Sequence, residues 1–139
     1  MNLKKNIKYG LILCGLVNIL SVLIVTRLFT DYSVSYYQPV VMGKPGLVMI
    51  LIWGFAYLII ASKIEFAPKM LLVFIAEKLF FVYEWAGWIK YHYSLAPEMI
   101  TKDFLSGGFQ LIYGVNDLAW AFFFVFSYFA LNKNYSQIY

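Results

Sequence analysis

Charged residues are scarce in this sequence. Only 13% of the 139 residues are charged, whereas 63% are hydrophobic and 21% are aromatic. Soluble domains carry about 25% charged residues, so this composition cannot cover a surface that faces water. It indicates a protein whose main contact is the lipid bilayer.

Cysteine and histidine occur once each, as Cys14 and His92. A single cysteine excludes a disulfide within the chain and a cysteine-based metal site. A single histidine excludes a haem held by two histidines of the same chain. No phosphate-binding loop, nucleophile elbow or zinc-protease helix is present, which argues against familiar hydrolases. We therefore expect neither a metal nor a cofactor.

Long apolar segments predict an all-α fold. A membrane crossing needs about 20 mostly apolar residues in a helix, and a backbone surrounded by lipid must satisfy its own hydrogen bonds. The prediction is a polytopic membrane protein, an antiparallel four-helix transmembrane bundle that forms a single domain over residues 1–139. The predicted helices cover, approximately, residues 9–28, 46–62, 68–90 and 106–131.

Lysine and arginine flank these segments singly and form no basic stripe, so the net charge of +4 indicates membrane anchoring and no nucleic-acid partner. Short loops on the cytoplasmic side of a membrane protein carry an excess of lysine and arginine, and this excess favours cytoplasmic N- and C-termini in a multi-pass protein of the cell membrane. The short lysine-rich loops suggest a bacterial inner membrane. The first segment lacks a signal-peptide exit and is expected to be retained. The predicted cytoplasmic side holds Lys4, Lys5, Lys8, Lys63, Lys69 and Lys133, and the other side holds Arg27, Lys44, Lys90 and Lys102.

Four charged residues fall inside the predicted spans, where such residues usually face the interior and mark function. Counting at about 1.5 Å per residue puts Glu77, Lys78 and Asp117 near the middle of the bilayer. The set of candidates for a ligand or proton pocket comprises Glu77, Lys78, Glu84, Asp117, Asn116, Asn18 and Tyr113.

Helical spacing predicts how these residues are arranged. Glu77 and Glu84 are seven residues apart on one face, and Tyr113 should come level with Glu84. This predicts a polar track from the midplane toward the external side. Adjacent helical residues diverge by about 100°, so Asp117 and not Glu77 is the expected partner of Lys78. Three buried acids and one cation would carry a net charge of −2, so a proton or a cation should neutralise at least one carboxyl.

Three functional hypotheses follow, beside the simpler interpretation that a Lys78–Asp117 pair only locks helix packing. The first is an externally open pocket for a proton, cation or amphipathic small molecule, in a transporter that works as a homodimer. The second is an accessory or assembly subunit whose charges pair with a partner membrane subunit. The third is an enzyme that uses Glu77 or Asp117 as an acid or base on a lipophilic substrate.

Overall fold

The computed structural model describes residues 3–135, which form helices joined by short connections and include no strand. The all-α part of the prediction is confirmed. Three single 3-10 turns lie in the connections, at Ser33–Tyr36, Ile64–Phe66 and Tyr93–Leu95. The helices are α1 (Leu3–Val25), α2 (Lys44–Ser62), α3 (Ala67–His92), α4 (Ala96–Lys102) and α5 (Phe104–Tyr135).

The helix bounds differ from those expected at several points. The first helix begins at Leu3 and not at Tyr9, because its hydrogen bonding continues through the lysine-rich segment that precedes the apolar run. It ends at Val25, just before three consecutive residues in the left-handed region, with φ of 48°, 58° and 67° at 27–29. The short helix α4 lies between the predicted helices 68–90 and 106–131, in a segment where no helix was expected.

Each long helix buries one narrow stripe of residues. In α2 the buried positions recur at intervals of three and four residues, which is the repeat of a helix with a single inward face. They are Leu47, Ile50, Gly54, Tyr57 and Ala61. The remaining faces present large apolar side chains outward, which suits a surface in contact with lipid.

The long helices pack as two closely joined pairs. The first pair is α1 with α2, and the second is α3 with α5; α1 also contacts α5, and α4 covers the beginning of α5. A side chain at Gly15 would place its Cβ 2.8 Å from the carbonyl oxygen of Gly54, so glycine at this crossing lets the backbones of α1 and α2 approach closely. Contacts between α2 and α3 are sparse, and a groove lies between them.

Three helices within residues 3–135 are long and apolar enough to cross a membrane, and this finding indicates a membrane protein. Their apolar stretches are Leu3–Val25, Lys44–Ser62 and Phe104–Lys133. The helix α3 has sufficient length, with 26 residues, but Glu77, Lys78 and Glu84 in its middle lower its apolar character.

One end of the bundle is fixed by Asp103, which precedes α5. Its carboxylate accepts hydrogen bonds from Leu105 N at 3.1 Å and from Ser106 Oγ at 2.8 Å, and thus caps α5. The guanidinium of Arg27 reaches the same carboxylate at 3.1 Å. Partial burial alone would raise the pKa of Asp103, but the hydrogen bonds from Ser106 and the charge of Arg27 lower it below its usual range. These contacts attach the α1–α2 connection to the beginning of α5.

Candidate functional site

Lys78 ends at the centre of a buried polar group of side chains. Its Nζ donates to Asp117 Oδ1 at 2.8 Å and to Asn18 Oδ1 at 3.3 Å. The three residues come from α3, α5 and α1, and Lys78 is only 1% exposed. The contact between Lys78 and Asp117 is the one that depth and helical spacing predicted.

Glu77 joins the same group through both carboxylate oxygens. The Tyr57 hydroxyl of α2 donates to Oε2, and Oε1 lies 3.7 Å from Lys78 Nζ. As expected, Asp117 is the closer partner of Lys78, and Glu77 is the weaker one, because its carboxylate lies 3.7 Å from the ammonium group without a hydrogen bond to it. Sequence reasoning missed the role of Tyr57, although a buried tyrosine hydroxyl usually needs a hydrogen-bond partner.

The side-chain amides of Asn116 and Asn18 connect this group to its surroundings by hydrogen bonds. Asn116 Nδ2 donates to Asp117 Oδ1 at 3.3 Å, and Trp120 Nε1 donates to Asn116 Oδ1 at 3.2 Å. Asn18 Nδ2 donates to the carbonyl oxygen of Ile50 at 3.4 Å, which connects α1 to α2. We call the six side chains together the inner cluster: Asn18, Tyr57, Glu77, Lys78, Asn116 and Asp117.

A second set of polar side chains, which we call the outer cluster, consists of Gln38, Gln110 and Tyr113. Gln110 Nε2 donates to Gln38 Oε1 at 2.7 Å, and the Tyr113 hydroxyl donates to the same oxygen at 2.9 Å. Gln38 belongs to the α1–α2 connection, yet it is only 8% exposed. No sequence signal distinguishes it from other polar loop residues, and it was not among the predicted candidates.

Glu84 lies outside both clusters. It is half-buried, and its side chain makes no hydrogen bond or ion pair with any residue in the described range 3–135. Only its backbone carbonyl is engaged, by Gln38 Nε2 at 3.4 Å. The expected net charge of −2 is therefore corrected to −1, because the inner cluster contains two carboxylates and one ammonium group.

Two spaces adjoin Glu77. A cavity of about 20 Å³ lies between the inner and outer clusters, with Lys78, Tyr113 and Asp117 among its lining residues, and a space of that size holds about one water molecule. The groove between α2 and α3 is larger, at about 300 Å³. Glu77 and Phe81 line both spaces and therefore form the wall between them.

The polar track that was expected to run through Glu84 toward the external side does not include the Glu84 side chain. Of the outer cluster, Tyr113 lines the small cavity, whereas the wider space beside Glu77 is lateral, between α2 and α3. Among the residues that the structure describes, no group of three or more His, Cys, Asp or Glu side chains could hold a metal ion.

Comparison with known proteins gives no match: no protein family, curated protein or solved structure is significantly similar to this chain. Fold likeness therefore offers no guide, and function must be inferred from the chemistry of the side chains themselves.

Proposed function

We propose that α1, α2, α3 and α5 all cross the bilayer as an antiparallel four-helix bundle, with both termini on the cytoplasmic side. The outward side chains of α3 support this topology. In the middle of the helix they are mostly apolar and include Leu72, Val73, Leu79 and Phe80. Charged side chains of a membrane helix are expected to face the bundle interior, and Glu77 and Lys78 do so here.

The inner cluster, in this proposal, binds one positive charge, which is a proton when no other cation is present. The observation that carries it is the imbalance of two buried carboxylates against one buried ammonium group: Glu77 is 7%, Lys78 1% and Asp117 7% exposed. A net charge of −1 is costly in a medium of low dielectric. Uptake of a proton or a cation removes that cost.

Glu77 is the proposed acceptor of this charge. Lys78 Nζ lies 2.8 Å from Asp117 but 3.7 Å from Glu77, so the ammonium group is engaged mainly by the aspartate. Glu77 also lines the groove, whereas Asp117 lines only the small cavity. The chain would thus be a small membrane protein that binds, and as a dimer transports, a proton, a cation or an amphipathic small molecule.

An accessory subunit is the second candidate, and one observation favours it. The groove between α2 and α3 opens between exposed apolar side chains and could receive side chains from a helix of a partner subunit. The behaviour of the purified chain in mild detergent distinguishes the two functions. A self-sufficient binding protein stays monodisperse and stable in mild detergent, whereas an accessory subunit requires its partner to do so.

The proposal predicts that Glu77→Gln removes a pH dependence of stability. If the folded wild type holds a proton that the unfolded chain releases, the free energy of unfolding falls as pH rises through neutrality. The slope approaches about 1.4 kcal/mol per pH unit. Thermal unfolding in detergent, followed from mildly acidic to mildly alkaline pH, measures this slope, and Glu77→Gln should flatten it while the protein remains folded.

Glu98→Gln is the matched control for this experiment. Glu98 pairs with Lys102 at 2.6 Å on the surface, so its replacement should keep the wild-type slope. An equal slope in the wild type and in Glu77→Gln would show that the proton is held elsewhere or is not held at all.

A further inference from the structure

We infer that the groove between α2 and α3 is a binding site, open to the lipid, for an amphipathic amine whose ammonium group pairs with the Glu77 carboxylate. This inference rests on the proposed function, because it requires Glu77 to be the group that accepts a positive charge. It adds the class of ligand and the direction from which the ligand arrives.

The groove has the size and lining of a small-molecule site. Its volume of about 300 Å³ lies at the lower end of the usual range of about 300–1,000 Å³. Its walls are almost entirely apolar, and Glu77 is the one ionisable residue among those that line it, with 4% of its side chain exposed. The residues that matter for the argument are Val40, Met49, Trp53, Glu77, Phe80 and Phe81.

Charge selects an amine over other amphipathic molecules. Lys78 belongs to the small cavity and not to the groove, and its ammonium group is directed to Asp117 and Asn18. A fatty acid would therefore meet the Glu77 carboxylate without a compensating cation. An ammonium group would neutralise the inner cluster, and the rings of Trp53 and Phe81 can interact with a cation at this position.

The lateral position of the groove indicates that the ligand arrives through the bilayer. Its mouth is formed by outward-facing side chains, with Val40 84%, Met49 43% and Phe80 54% exposed. The groove begins at the α1–α2 connection and extends to Glu77. An amine can therefore move its charged end along α2 from the membrane interface while its apolar chain stays in lipid. The small cavity on the other side of Glu77, at about 20 Å³, has room for about one water molecule and is too small to pass such an amine.

A single charge neutralises the inner cluster, so an amine and a proton compete for Glu77. When the ammonium group binds, the Glu77 proton leaves to water, and no covalent bond forms. Amine binding should therefore tighten as pH rises, up to the pH at which the amine itself loses its proton, about 10 for an alkylamine.

The test uses the purified full-length chain and octylamine as the probe, with octanol and octanoate as probes of equal chain length. Thermal unfolding is measured with each probe in the wild type, in Met49→Trp and in Val48→Trp. Met49 lines the groove and is not part of the inner cluster, so tryptophan there should fill the groove, whereas Val48 is an exposed position of the same helix that does not line the groove. We expect octylamine alone to raise the melting temperature of the wild type.

The variants then separate the inference from the proposed function. Met49→Trp should keep the pH slope of the wild type but bind octylamine at least about tenfold more weakly, and Val48→Trp should keep both properties. If the stability of the wild type shows no pH slope, or if Glu77→Gln keeps that slope, the proposed function is wrong and this inference is wrong with it. An intact slope with no octylamine effect, with equal effects of octanol, or with undiminished binding in Met49→Trp would overturn the inference alone.

Discussion

Replacing Lys78 with Met is expected to destabilise the protein by about 3–5 kcal/mol, the usual effect of removing one partner of a buried ion pair. The methionine side chain fills a similar volume, so the loss comes from charge. The carboxyl groups of Glu77 and Asp117 would remain buried without the ammonium group, and the charge of Asp117 would have no partner. Unfolding of the purified variant in detergent, monitored by helix content, measures the loss.

A second change should restore most of this stability. In the double variant Lys78→Met with Asp117→Asn, the one buried carboxyl group that remains is Glu77, which holds its own proton and stays in contact with the Tyr57 hydroxyl. Lys102→Met is the control, because the Lys102 side chain is 60% exposed and its ion pair with Glu98 lies at the surface. A loss in Lys78→Met no larger than that in Lys102→Met would mean that the ammonium group does not hold the cluster together.

Gly15→Leu should have the next largest effect, a loss of about 3 kcal/mol, at the upper end of what overpacking costs. Even a Cβ at this position would lie 2.8 Å from the Gly54 carbonyl oxygen and 2.9 Å from the Leu58 side chain. Because backbone atoms cannot move out of the way independently, α1 and α2 must separate. The hydrogen bond from Asn18 to Ile50 lies one turn away and should break as well. Thermal unfolding measures the loss of stability.

Gly87→Leu provides a matched comparison on α3. Gly87 is exposed, and a Cβ there would meet no atom within 4 Å. Leucine also has a better helix propensity than glycine, by roughly 0.5–1 kcal/mol, so this variant should be neutral or slightly more stable. Similar losses in Gly15→Leu and Gly87→Leu would indicate that α1 and α2 do not approach each other as closely as described.

The helical fold could be predicted because hydrophobic length and backbone hydrogen bonding act within single segments. Helix ends were less predictable. The left-handed turn at 27–29, at the end of α1, accompanies the contact between Arg27 and Asp103, which are distant in sequence. The helix α4 is too short to give a clear periodic signal, and the segment has a proline that is equally typical of a loop.

The contact at the centre of the site could be predicted from sequence because it also depends on regular helix geometry. Depth in the bilayer and helical spacing together bring Lys78 beside Asp117. Glu84 follows the same spacing but leaves the buried stripe, since a seven-residue repeat drifts by about 20° on a straight helix, and the stripe continues through Phe81 and Trp88.

Two other contributors depend on tertiary structure alone. The role of Tyr57 requires the rotation of α2 about its axis, which its uniformly apolar sequence does not define. The role of Gln38 requires the path of a long connection that folds back between α3 and α5. Neither the rotation of α2 nor the path of the connection follows from a local sequence pattern, so spacing and composition could not predict that these two side chains lie at the site.

The central claim is that Glu77 holds the one charge that neutralises the inner cluster. Infrared spectroscopy of the purified protein at neutral pH, in buffer without added metal salts, tests it by the carbonyl stretch of a protonated carboxyl group. We predict that this band is present in the wild type, persists in Glu98→Gln, and disappears in Glu77→Gln. A wild-type spectrum without the band, or a band that survives in Glu77→Gln, would contradict the claim.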